Sequence, residues 1–423
     1  MPKYHTFPSG LRLYFERKPY TKSIAIGVFV GVGSAYEEEK NNGLAHFLEH
    51  LSFKGTEKRS AFDIANEMDN KGVQINAFTT RSYTCYYTVG MAKYAESCLE
   101  MLFDILVNST YTKENIEKEK GVVLEEINMY EDDGEDLCYE KMSGIFYGNA
   151  PLARPILGTA DKVRNFSRED IIDFVSKWYV PENTVISIVG SLKKEDALLM
   201  VEEIFEKKLI KKELVREKLK KLRSYSKQSY TFKPNEQSNV FLRFPSYYLN
   251  RKKDYAPFII GYMLGGGMSS RLFQKVREQM GLVYGIGSSP THYVNNGFFD
   301  ISFATSPSQV EKALLAIRDI ILEVKEKGFT KEEHQKAIAQ FMTSLIMGEE
   351  SAADSMRIAG RNIIQLDKAV TFRNCQRALE KITMVDIDEA VAKIFNFDKC
   401  SLSYVGQKTE TDLLSLFKNG KQE

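Results

Sequence analysis

Two of the five histidines in this 423-residue chain lie four residues apart, as His46 and His50, with Glu49 directly before the second. On a helix, positions i, i+3 and i+4 share one face, so His46, Glu49 and His50 point the same way. Two neutral imidazoles on one face can hold a zinc ion through their ring nitrogens, and a carboxylate beside them can hold a water next to the metal and take its proton. With histidine this rare, a chance His-x-x-Glu-His has odds of roughly one in two hundred, so the pattern is specific for its length. Gly43, Leu44, Ala45, Phe47, Leu48 and Leu51 around it are apolar, which makes this a buried helix. Buried imidazoles are costly without partners, and a metal would satisfy them.

A tetrahedral catalytic zinc needs a third protein ligand and one open position. The stretch from Glu114 to Ile127 reads as helix and carries Glu119 and Glu126 seven residues apart, two turns along one face. The same stretch also holds Glu114, Glu117 and Glu125, and composition alone does not choose among them.

The pentapeptide His46-Phe47-Leu48-Glu49-His50, the following Ser52-Phe53-Lys54-Gly55-Thr56, then Asn76-Ala77-Phe78-Thr79 and the Glu119 to Glu126 helix together resemble the M16 family of zinc metallopeptidases. HxxEH reverses the HExxH order and marks the inverzincin class. The family includes the mitochondrial processing peptidase β-subunit and smaller bacterial relatives, and the likeness runs along essentially the whole chain. It implies a zinc-dependent endopeptidase acting on unfolded peptides or processing sites. It places zinc on His46, His50 and Glu126, makes Glu49 the general base, and makes Glu119 the residue that orients a ligand. It makes the strand through Asn76, Ala77, Phe78 and Thr79 an edge that pairs with an extended peptide substrate. It also implies that Arg277 and Tyr284 reach the zinc site from the second half of the chain and donate hydrogen bonds to the substrate carbonyl as it becomes an oxyanion. Without the likeness, Arg277 reads as a surface arginine and Tyr284 as a strand aromatic. One stretch departs from the family pattern: Tyr-Gly-x-His-Pro is Tyr147-Gly148-Asn149-Ala150-Pro151 here.

The elements that must position these residues follow from a repeat. Ser167 to Ile172 leads through Trp178 and a strand, Thr184 to Val189, to Gly190 and a helix; Thr383 to Asp388 leads through Phe395 and a strand, Cys400 to Val405, to Gly406 and a helix. In each, Ser or Thr precedes Asp by three residues, a helix N-cap arrangement. Thr112-Lys113-Glu114 echoes Thr330-Lys331-Glu332 at nearly the same offset. The fold class is therefore α+β: two homologous lobes of mixed sheet packed with helices, facing each other around a chamber. The expected organisation is a zinc-binding catalytic lobe over 1–210, a basic interdomain linker over 211–228, and a metal-free lobe over 229–423 that contributes the Arg and Tyr. The offset sets Ala337 opposite Glu119 and Ser344 opposite Glu126, and the second half has no HxxEH, so only the first copy can hold metal. Gly265-Gly266-Gly267 lacks a following Lys-Ser/Thr pair and any GxGxxG, which argues for a turn over a phosphate site.

The remaining bounds agree. With 43% hydrophobic residues the chain can fill two cores. Its formal net charge of +1 argues against nucleic-acid binding or an anionic-membrane anchor as the main role, and the basic Lys207 to Lys227 run reads as a solvated linker. Five cysteines without a CxxC fit reduced thiols and a reducing compartment. No apolar run reaches the length of a membrane span and no signal peptide is visible, so the expected location is cytoplasmic. Expected partners are peptide substrates, with a lone chain, a homodimer, or a heterodimer with an M16-like homologue all open. The rival reading is a non-catalytic binding or assembly subunit of an M16-like complex, against which the intact HxxEH, Glu126, Arg277 and Tyr284 argue.

Overall fold

The computed structural model of the chain describes residues 4–209, 214, 221–249 and 255–420. The first sheet contains β1 (His5–Thr6), β2 (Arg12–Arg17), β3 (Ser23–Val30), β4 (Gln74–Thr79), β5 (Thr84–Met91) and β6 (Thr184–Gly190), in the order β1-β2-β6-β3-β5-β4. The second contains β7 (Gln228–Phe232), β8 (Ser238–Pro245), β9 (Gly285–His292), β10 (Gly297–Thr305) and β11 (Ser401–Gly406), in the order β7-β11-β8-β10-β9. Leaving aside the two-residue β1, both sheets run first, fifth, second, fourth, third strand. In both, the first and fifth strands are parallel and every other pair antiparallel. Two sheets of one topology in one chain are what a duplication leaves behind.

The two repeat helices begin alike as well. Ser167 caps Arg168–Trp178 and Thr383 caps Met384–Ile394, each through a reciprocal capping box with Asp170 and Asp386 respectively. The side-chain oxygen takes an orphan N–H three residues on, and the aspartate takes the N–H of the cap itself.

The chain forms two compact units, and they are not simple halves. The first unit comprises Met1–Ile127, Arg154–Glu217 and Ser344–Cys375; the second comprises Asn128–Ala153, Lys218–Thr343 and Gln376–Glu423. The strands of the first sheet end before residue 211 and those of the second begin at Gln228, but each unit takes a helix from beyond the cut expected near residue 210. Burial explains why. In the first unit, β3 has apolar residues on both faces. Ile24, Ile26 and Val28 pack with Leu99, Leu102 and Ile105 of the helix Ala95–Val107. The opposite face, with Ala25, Phe29, Val185 and Val189, is covered by Met356, Ala359 and Ile363 of the helix Ala352–Leu366. Gly360 lets that helix approach, since a Cβ there would sit 2.1 Å from Phe29 Cε2. In the second unit the helix Gly134–Tyr147, capped by Asp133, packs on β8 and β11.

Of the expected linker, only Leu214 and residues 221–228 are among the described residues. All five cysteines are buried. No helix among the described residues is long and apolar enough to cross a membrane.

Candidate metal centre

The helix Leu44–Leu51 carries His46, Glu49 and His50, and its start is set from outside. The buried Glu37 carboxylate accepts from Gly43 N at 2.8 Å, Ala45 N at 2.7 Å and Asn42 Nδ2 at 2.9 Å. Helix-start N–H groups have no partner within the helix, and an anion also suits the positive end of the helix dipole. Gly43 itself has φ +100, and a Cβ there would meet Leu157 O at 2.6 Å. Leu44, Phe47, Leu48 and Leu51 anchor the helix in a core shared with Ile116, Val123 and Ile127 of the helix Lys113–Asp132. On that second helix Ile116, Glu119, Val123 and Ile127 form the buried face, so Glu119 is drawn inward and Glu126 is half-buried beside it.

The three expected ligands converge. Ligand atoms of His46, His50 and Glu126 all lie within 4.8 Å of one another. Glu126 Oε2 is 3.4 Å from His50 Nε2 and 3.7 Å from His46 Nε2. A tetrahedron with bonds of about 2.1 Å has edges of about 3.4 Å, close to the two distances from Glu126 to the histidines. Among the described residues no other group of three His, Cys, Asp or Glu side chains comes together in this way.

The shell behind the ligands is equally defined. His50 Nδ1 lies 2.8 Å from Glu119 Oε1, and Glu119 Oε2 lies 2.8 Å from Lys54 Nζ. With Nδ1–H donating to that carboxylate, Nε2 is the nitrogen turned toward Glu126 and the ion position, where it can give up a proton to bind metal. Lys54 in turn neutralises a glutamate that is only 1% exposed. His46 Nδ1 is buried without a hydrogen-bond partner among the described residues.

Charge follows geometry. Burial, reinforced by the neighbouring His50, pushes His46 down to about 4, leaving it neutral and able to ligate. Burial also disfavours charge on His50, but hydrogen bonds to Glu119 and Glu126 outweigh it and raise the group to about 9. The hydrogen bond to His50 holds Glu126 below the usual carboxylate range. The carboxylates that favour a proton on His50 favour a metal cation for the same reason. Burial raises Glu49, against the opposing Thr79 hydrogen bond and the charge of His50.

Thr79 makes one further contact with the helix Leu44–Leu51. Its hydroxyl donates to Glu49 Oε2 at 2.5 Å. Ile75 and Ala77 pack on the core of the first sheet, while Phe78 lies on the other face against Tyr83 and Tyr87. A strict two-residue period puts Thr79 with Ile75 and Ala77, and Phe78 with Asn76. Asn76 Oδ1 accepts from Ala77 N. Among the described residues β4 pairs only with β5, so it is an edge strand.

In the second unit Arg277 sits in a π-helical stretch, Phe273–Gln279, where Met280 N bonds Lys275 O. Its guanidinium lies 4.6 Å from the Phe273 ring centroid and 5.7 Å from that of Tyr284. Tyr284 is 77% exposed. The two residues are thus neighbours, on a kind of helix that recurs at functional sites. The counterparts of Glu119 and Glu126 bear no ligand: Ala337 is fully buried and Ser344 exposed.

Glu37, Lys54 and the Thr79 hydroxyl escape the sequence reading. Lys54 follows the motif and Thr79 ends a recognisable strand, but nothing in their spacing tells which atom they touch. Glu37 had no sequence signal, because it reaches its helix across a loop.

Among the described residues, only the first copy brings two histidines and a glutamate together, with a second glutamate on a His ring nitrogen, and that donor set suits a metal ion. Residues 12–160 match the family model described as insulinase (peptidase family M16), and residues 165–341 match the peptidase M16 inactive domain. The chain belongs to peptidase family M16. It is 33% identical to the uncharacterized zinc protease YmxG of Bacillus subtilis over 94% of this chain and 97% of that one. It is also 33% identical to an uncharacterized zinc protease of Rickettsia bellii, over 92% of this chain and 93% of that one. A solved protease from Helicobacter pylori superposes with TM-score 0.90 at 20% identity, over 96% of this chain and 100% of that one. A peptidase M16 inactive domain from Pseudomonas fluorescens gives 0.89 at 19%, over 96% and 98%. Identity that low speaks for the fold alone.

Proposed function

We propose that this chain is a zinc-dependent endopeptidase that hydrolyses peptide bonds in unfolded peptides or processing sites. The observation that carries this reading is the convergence of His46, His50 and Glu126 with Glu49 on the same helix face. The cofactor is zinc, in keeping with the family and with a donor set of two imidazoles and a carboxylate. Bound there, zinc supplies a Lewis acid that lowers the pKa of a water and polarises the scissile carbonyl. Glu49 takes the proton of the attacking water and hands it to the leaving amine. Glu119 holds His50 by Nδ1–H, so that the ring keeps Nε2 toward the ion. Arg277 and Tyr284 are assigned as donors to the developing oxyanion, an assignment supported by their adjacency and by the family likeness. The edge strand through Asn76, Ala77, Phe78 and Thr79 is assigned to pair with the extended substrate, supported by an outer edge that pairs with no strand among the described residues.

Metal analysis and one substitution test the reading. About one zinc per chain is expected, and Glu49→Gln should retain it while hydrolysis of a peptide library falls by at least ~10²-fold. Wild-type cleavage by Glu49→Gln would remove the general base from the mechanism. A zinc-free protein would point to a binding or assembly subunit.

A further inference from the structure

We infer that Thr79 is a positioning residue for Glu49, fixing one carboxylate oxygen so that the other is left to accept the proton of the attacking water. The inference rests on the reading of Glu49 as general base. Among the described residues, the Thr79 hydroxyl is the only hydrogen-bond partner of the Glu49 carboxylate, and it binds Oε2 at 2.5 Å. A hydroxyl that donates to a carboxylate makes one of the stronger kinds of hydrogen bond. A glutamate has three side-chain torsions, and a base that rotates among rotamers is rarely aligned with its proton. One strong bond to Oε2 removes most of that freedom and does not occupy Oε1.

A positioning residue must itself be held, and Thr79 is. It is the last residue of β4 and pairs with Thr84 across the hairpin. The turn that follows is locked by Thr80, whose hydroxyl donates to Tyr83 O at 2.8 Å and accepts from Ser82 N and Tyr83 N at 3.1 and 3.0 Å. The turn is fastened in turn to the loop before the metal helix: Ser34 N bonds Thr80 O and Ala35 N bonds Arg81 O. Gly33 allows that contact, since a Cβ there would lie 2.0 Å from Thr80 O. Two residues further on, Glu37 caps the metal helix. Glu49 is therefore fixed at its backbone by a helix capped from this loop, and at its carboxylate by a strand end anchored to the same loop. Because Thr79 closes the strand assigned to the substrate, peptide pairing along β4 and alignment of the base share one element.

The test compares Thr79→Val, which keeps the branched shape and loses the donor, with Thr79→Ser, which keeps the donor. Thr79→Val should lower kcat about 10- to 100-fold, the scale of a misplaced catalytic group, with KM within about twofold of wild type. Its zinc content should match wild type, as should its melting temperature both zinc-loaded and zinc-stripped. Thr79→Ser should recover most of kcat. On a Glu49→Gln background, Thr79→Val should cost nothing more, because the group it positions is already disabled. The inference is overturned if Thr79→Val keeps kcat within twofold of wild type, if it loses zinc or melts lower, or if Thr79→Ser is as impaired as Thr79→Val. Failure of the underlying reading looks different: Glu49→Gln would then remain active, and both claims would fall together.

Discussion

Adjacent helix positions lie about 100° apart around the axis, so only one of Glu125 and Glu126 can look toward the two histidines. Glu126 does, with Oε2 3.4 Å from His50 Nε2, while Glu125 is exposed. Glu126→Gln should therefore strip most of the zinc and Glu125→Gln almost none, as measured by metal content after dialysis. The reverse ranking would move the third ligand. At this scale the His46, Glu49 and His50 constellation was legible because a helix converts four-residue spacing into one face. The Glu119 and Glu126 pair was legible only as a face, and the family likeness was needed to assign the roles. Thr79 on Glu49, Lys54 on Glu119 and Glu37 at the helix start were not legible, because each contact joins residues from different elements whose approach is decided by the fold.

Elements were legible in kind and only partly in partnership. The strands near Thr184 and Cys400 and the capping boxes at Ser167 and Thr383 form essentially where alternation and cap chemistry put them. The helix Ala352–Leu366 is also readable, since Ala352, Met356, Ala359 and Ile363 recur at helical spacing. Its periodicity says that one face is buried but not on which sheet. Gly360 gives this packing a test. An alanine Cβ would sit 2.1 Å from the ring of the fully buried Phe29, and overpacking of this kind costs about 1–3 kcal/mol. The helix-propensity gain from replacing glycine is at most about 1 kcal/mol. Gly360→Ala should thus lower the denaturation midpoint while zinc content in the folded protein stays normal. A more stable variant would mean that Phe29 has room to yield.

For the molecule as a whole, the duplicated topology was legible from two short repeats, whereas the membership of the compact units was not. Sequence offsets report ancestry, and burial decides which helix covers which sheet. Tyr284→Phe examines whether the second unit takes part in the chemistry: the variant should lose about 2 to 4 kcal/mol of barrier lowering, read chiefly in kcat, with zinc content unchanged. An unchanged kcat would reduce Tyr284 to an exposed aromatic. A fragment ending at Ile210 would lack the helix Ala352–Leu366 and so leave Ala25, Phe29, Val185 and Val189 uncovered. It should aggregate on expression, and co-expression of residues 211–423 should bring it into solution with zinc bound. A soluble, zinc-binding fragment on its own would show that the borrowed helix is dispensable.

The same borrowing has a consequence in time. The last strand of the first sheet ends at Gly190, and the helix that covers its second face begins at Ala352. At synthesis rates of about 5–20 residues per second, the ribosome needs on the order of 10 to 30 seconds to produce the cover. A sheet that formed in that interval would leave the face with Ala25, Phe29, Val185 and Val189 open to whatever is nearby. A pause in translation between those two points lengthens the exposure, and a truncation there makes it permanent. Slower synthesis of the second half would therefore leave the growing chain in greater need of chaperones.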